Sequence, residues 1–117
     1  MKIGYINYLN CYPFYHHMFL KEPLPGIEVL PGYPSQLNNW MREGTLDLSP
    51  VSAGAFPSLR DSVGIVPRFC LSSIGYVRSV ILRSNLPIED LNGRKVGLTS
   101  VSETSVALLK IILEKYY

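Results

Sequence analysis

The sequence predicts an α/β fold, a mostly parallel sheet flanked by helices, and three observations carry that reading. Apolar runs of strand length alternate with segments of helical spacing from Lys2 to Val66, giving a β-α-β-α-β-α-β order. Strands end in small polar residues and a proline, first at Asn10-Cys11-Tyr12-Pro13 and again at Ser49-Pro50-Val51-Ser52. Later in the chain a fresh strand and helix, Lys95 to Tyr117, repeat the same unit. Such an order predicts right-handed crossovers between parallel strands.

Each element follows from its residues. Lys2 to Tyr8 alternates and carries Ile3, Tyr5, Ile6 and Tyr8, which suits a strand. Asn10 tolerates unusual backbone angles, and Pro13 fits the first turn of a helix. The Asn10 amide is therefore expected at the carboxyl end of the first strand, the edge where open α/β sheets bind ligands. Tyr12 to Leu20 reads as a short helix ending before Pro23 and Pro25. Its neighbouring His16 and His17 point to different helix faces, which predicts one exposed and one packed. Ile27 to Tyr33 is a second strand. Pro34 opens a second helix, with Ser35 or the residue before it near the cap, Leu37, Trp40 and Met41 at helical spacing, and Gly44 as the stop.

Thr45 to Ser52 is a third strand, Ala53 to Leu59 a short helix or turn, and Val63 to Val66 a buried strand. From Phe69 the pattern changes. Cys70 to Tyr76 and Arg78 to Ser84 are two extended segments around a glycine turn, the kind of stretch that links lobes. Leu86 to Gly93 is a turn with a short helical element, Lys95 to Thr99 a strand, and Ser100 to Tyr117 a helix. Ser100 and Glu103 have capping-box spacing, and Leu108, Leu109, Ile112 and Tyr116 give that helix an apolar face. These features divide the chain into residues 1–86, the first lobe, and residues 87–117, the start of a second. A single βα unit cannot bury both its faces, and no Gly or Pro ends the last helix, so the expectation is the N-terminal part of a longer two-lobed protein.

Composition narrows the function. With 117 residues, 47% apolar and 17% charged, the chain fits one modest globular domain. A net charge of +2 with scattered basic residues offers no nucleic-acid footprint. No apolar run is long enough for a membrane span, and no signal-peptide core follows Met1, so the default location is cytoplasmic. Cys11 and Cys70 lack metal-site spacing and read as free thiols.

No nucleophile elbow, Walker loop, dinucleotide-binding glycine fingerprint or zinc motif is present. Hydroxyls and amides at strand ends remain: Asn10, Ser49, Ser52, Ser72, Ser73, Ser79, Thr99, Ser100 and Thr104. Groups of this kind bind carboxylates without a metal or a strong base. Asp47 reads as a structural hydrogen-bond acceptor near a turn. The Thr99 to Ser105 segment places hydroxyls and free amides at a helix N-terminus, which suits an anion, though the same residues also suit a plain cap. Arg68 and Arg78 are carboxylate partners only if the fold brings them inward; scattered arginines are usually solvated.

Five ordered stretches carry a resemblance: Tyr8 to Pro13, Pro34 to Asn38, Gly44 to Ser52, Ser72 to Val80, and Thr99 to Leu109. In that order, and over essentially the whole chain, they resemble the N-terminal region of the menaquinone-biosynthetic chorismate dehydratases. The resemblance implies a fold similar to type-2 periplasmic binding proteins, two α/β lobes closing on a ligand. It also implies a hydro-lyase of the futalosine route that converts chorismate to 3-enolpyruvyl-benzoate without metal or organic cofactor. Family members are more than twice this length, so the fragment alone is expected to be inactive.

That reaction suits the residues. Loss of the C3 proton and the C4 hydroxyl makes the ring aromatic, so positioning and charge stabilisation matter more than a powerful base. Asn10 is the expected catalytic residue, orienting the enolpyruvyl ether or the reacting edge. Ser52, Ser72, Ser73, Ser79, Thr99, Ser100 and Thr104 are the expected contacts to the dianionic substrate, whose own enolpyruvyl carboxylate serves as base. A solute-binding protein would share the fold but needs an export signal, and a regulator's sensor domain needs a DNA-binding helix-turn-helix ahead of it. The naphthoate synthase acting later in the same route has a related fold; the Tyr8-Leu9-Asn10-Cys11 turn favours the dehydratase.

Overall fold

The computed structural model describes residues 1–117. Its elements are β1 (Lys2–Tyr5), α1 (Tyr12–Leu20), β2 (Glu28–Pro31), α2 (Pro34–Arg42) and α3 (Glu103–Tyr116), with 3-10 turns at Phe56–Ser58 and Ile88–Leu91. The architecture is mixed α/β with a small parallel sheet. β1 and β2 pair in parallel with Ile3 opposite Val29. On the other side of β1, Ile3 bridges Leu48 in parallel, and the Gly4 N–H donates to the Leu48 carbonyl at 2.8 Å. β1 is therefore the middle strand, because its alternate backbone groups face opposite neighbours.

Both early helices have sequence-visible limits. α1 takes Pro13 in its first turn and covers the sheet with aromatic side chains. The Tyr5 ring meets Tyr15 edge-on at 4.9 Å and Phe19 at 5.2 Å, arrangements that suit the charge distribution of aromatic rings. The Tyr15 hydroxyl donates to the Gly4 carbonyl at 2.8 Å, and burial, before the nearby Cys11 and Tyr5, pushes its pKa up to about 12. α2 starts at Pro34 with Tyr33 as the cap residue and stops before Gly44, whose φ of +68° is left-handed. Its Leu37 is fully buried and packs with Ile6, Cys11 and Leu46, while Leu30, Trp40 and Met41 close the rim. Cys11 is thus a packing residue, its thiol pushed up by burial. Asp47 accepts the Lys2 N–H at 2.6 Å, the structural role expected of it.

Several expectations need correction. The third strand reduces to the single bridge at Leu48. Val63–Val66 forms no strand, and Ile65 is 66% exposed. No strand forms at 95–99 either. Strand hydrogen bonds are made between strands, so an apolar run without a neighbour has nothing to pair with. The Gly75 turn is present, at φ +80°, but the segments flanking it form no ladder. His16 and His17 are both exposed; the latter meets Glu22 at 3.1 Å. On α3, Leu109 and Ile112 are half-buried, whereas Leu108 and Tyr116 are exposed. The radius of gyration is 17.0 Å, against about 13 Å for a compact chain of this length.

Candidate functional site

Because β1, β2 and the Leu48 bridge run parallel, their carboxyl ends share one edge. The Asn7 to Asn10 turn, Gly32 to Ser35 and Ser49 to Ser52 meet there. β2 lies on one side of β1 and the Leu48 segment on the other, so the connections diverge at β1. That divergence is where an open α/β sheet leaves a crevice. Asn10 stands at this edge, in the turn before α1, and is exposed.

The start of α3 joins the same edge. The Gly54 N–H donates to Thr104 Oγ1 at 2.8 Å, and the Ser35 N–H donates to the Val101 carbonyl at 3.3 Å. Only glycine fits at position 54, since a Cβ there would lie 2.8 Å from the Thr104 Cα. Asn38, fully buried on α2, donates to Ser52 Oγ at 2.9 Å and to Glu103 Oε1 at 3.1 Å, and its own oxygen accepts the Ser52 N–H at 3.2 Å. Arg42 grips Glu103 with both terminal nitrogens, at 3.0 and 2.6 Å. This hydrogen-bonded fork and then the Asn38 amide hold the Glu103 carboxyl below the usual carboxylate range, and the Arg42 guanidinium is pushed up in return.

This pairing corrects the expected cap. Ser102, not Ser100, caps α3, accepting the Ser105 N–H at 3.3 Å. Glu103 cannot reach back as a capping-box partner because its carboxylate is held by Arg42. Ser100 is released to line an open cleft of about 410 Å³, shared with Gly54, Thr99, Ser102, Glu103 and Lys110. The structure therefore places Thr99 and Ser100 in the cleft wall and Ser52 and Thr104 at the adjoining junction, bonded to Asn38 and Gly54 without lining the cleft. Ser72, Ser73 and Ser79 lie in the exposed segment and none lines this cleft. Arg68 and Arg78 are exposed as well. No group of three His, Cys, Asp or Glu side chains converges.

Asn38, Arg42, Gly54 and Lys110 carry no functional signal in the sequence. Spacing is weak guidance: Asn38 and Arg42 are four apart on one face of α2, and nothing local marks their partner 61 or more residues away.

The whole chain, residues 1–117, matches the family model described as menaquinone biosynthesis. The chain belongs to that family. A curated chorismate dehydratase of Thermus thermophilus is 37% identical over 113 residues, covering 97% of this chain and 40% of the relative. The family member described here thus spans less than half the length of that relative. No solved structure matches it. No helix is long and apolar enough to cross a membrane.

Proposed function

We propose that this chain forms the first wall of a chorismate dehydratase cleft, acting in the cytoplasm as part of a longer two-lobed protein. Residues 1–86 belong to the first lobe in this reading and residues 87–117 open the second, in an architecture similar to type-2 periplasmic binding proteins. The observation that carries it is the junction itself. Hydroxyls of Thr99 and Ser100 line a cleft beside Ser52 and Thr104, where the α3 N-terminus meets a sheet's carboxyl edge. The family membership and the chorismate dehydratase relative support the same chemistry.

Each group has a defined task. Thr99, Ser100, Ser52 and Thr104 hold a substrate carboxylate through hydroxyls and backbone N–H groups, aided by the helix dipole. Asn10 orients the reacting edge from the opposite turn. Ser72, Ser73 and Ser79 join the site as the exposed segment packs over the cleft in the longer protein. The C3–H electron pair moves into the ring as its proton passes to the substrate's enolpyruvyl carboxylate. The C4–O bond breaks, and the hydroxyl leaves as water by taking that proton back from the enolpyruvyl carboxyl group. Ring aromatisation drives the elimination, so the protein supplies orientation and charge stabilisation and no metal or cofactor is required.

Incubating the full-length polypeptide with chorismate and following the ultraviolet absorbance of an aromatic product tests the reading. Steady product formation is expected. Tight chorismate binding without turnover would contradict it and indicate a binding protein.

A further inference from the structure

A fully buried asparagine with charged company is unusual in so small a core. Buried amides persist where their hydrogen-bonding groups are satisfied, and Asn38 spends both its nitrogen and its oxygen on two remote elements. Its contacts to Ser52 fix both the hydroxyl and the backbone of the loop before Gly54. Its contact to Glu103 reaches the first turn of α3. One helical turn later, Arg42 holds the same Glu103 by two nitrogens and anchors itself on Asn39 Oδ1 at 2.8 Å and Ser58 Oγ at 3.2 Å. Residues four apart share a helix face, so α2 presents a two-pronged clamp across the junction.

We propose that Asn38 and Arg42 are positioning residues which set the spacing between the Ser52 to Gly54 loop and the first turn of α3, and keep the Glu103 charge paired where it lines the cleft. The proposal rests on the reading of this junction as the substrate cleft. Without the clamp, one hydrogen bond joins the loop to α3, Gly54 to Thr104, and a second ties the start of α2 to the residue before the α3 cap, Ser35 to Val101. Glu103 also lines the cleft, and a free carboxylate there would repel an anionic ligand at close range. Both side chains of the ion pair are about one-third exposed, 32% and 31%, so the pair adds little to stability. Its weight falls on geometry and charge at the cleft.

The test uses Arg42→Gln, Glu103→Gln and the double variant in the full-length polypeptide. Three quantities are compared: chorismate KM and kcat, the affinity for benzoate by calorimetry, and the melting temperature. The clamp predicts that Arg42→Gln raises KM and weakens benzoate binding about tenfold, within the range of coupled neighbours, while kcat and melting temperature change little. Adding Glu103→Gln should recover much of that loss, because the unpaired charge is gone. A fall in melting temperature with KM and benzoate affinity unchanged overturns the proposal, as do single effects that multiply in the double variant. Equal benzoate affinity in all proteins, or none in the wild type, also overturns it. A wild type that binds benzoate but leaves chorismate untouched defeats the dehydratase reading alone, and the benzoate arm then decides the clamp.

Discussion

Residues 1–59 and residues 60–102 both carry long apolar stretches, but only the first set buries them. All ten buried residues lie between Ile3 and Leu59. In the second set Ile74 is 104% exposed and Tyr76 91%. The first set owns three mutually supporting surfaces: the sheet, the aromatic face of α1 and the Leu37 face of α2. The second has the face of α3, which forms an open apolar groove with Val80, Leu82 and Leu98, and a lone edge contact of Phe69 with Phe14 of α1 at 5.8 Å. Apolar sequence alone does not make a core; opposing faces do.

Substitutions can sharpen this contrast. The largest effect is expected at Leu37, fully buried at the centre of the cluster. Leu37→Ala should cost about 2–5 kcal/mol in chemical denaturation, whereas Ile74→Ala should stay within about 0.5 kcal/mol. Similar costs at both sites would erase the distinction. Gly54→Ala comes next, since its Cβ meets the Thr104 backbone. It should cost about 1–3 kcal/mol and detach α3 from the first set, seen as faster hydrogen exchange at Glu103 to Ser105 with β1 unaffected. Tyr15→Phe removes the hydrogen bond to the Gly4 carbonyl and should cost about 1 kcal/mol while leaving the aromatic packing intact.

The smallest expected effect concerns pH. Glu103 has a depressed pKa in the folded chain, first through Arg42. Its contribution is therefore fully present above the ordinary carboxylate value of 4.5 and disappears as pH falls through the lower folded value. With both partners about one-third exposed, solvent screening limits it to about 1 kcal/mol or less. Glu103→Gln should flatten that small acid-side slope in pH-dependent denaturation; an unchanged slope would deny the ion pair any part in it.

Legibility in the sequence followed the same divide. α1 emerged with its bounds at Tyr12 and Leu20, and α2 began at Pro34, because helices satisfy their own hydrogen bonds and are punctuated locally by proline and glycine. β1 was placed correctly but ends at Tyr5, three residues early. The runs at 63–66 and 95–99 failed as strands because a strand is defined by its neighbour, which periodicity does not reveal. Of the expected hydroxyls, Thr99 and Ser100 line the cleft. What gathers them was not legible: Asn38, Arg42 and Gly54 act across long sequence separations, and the capping role moved from Ser100 to Ser102 because a remote arginine claimed Glu103.

The most direct test is hydrogen exchange of the full-length polypeptide with and without chorismate. Slowed exchange at the Asn10 turn, at Ser52 to Gly54 and at Glu103 to Ser105 is the predicted result. Chorismate turnover with none of these three segments protected would contradict the placement of the cleft.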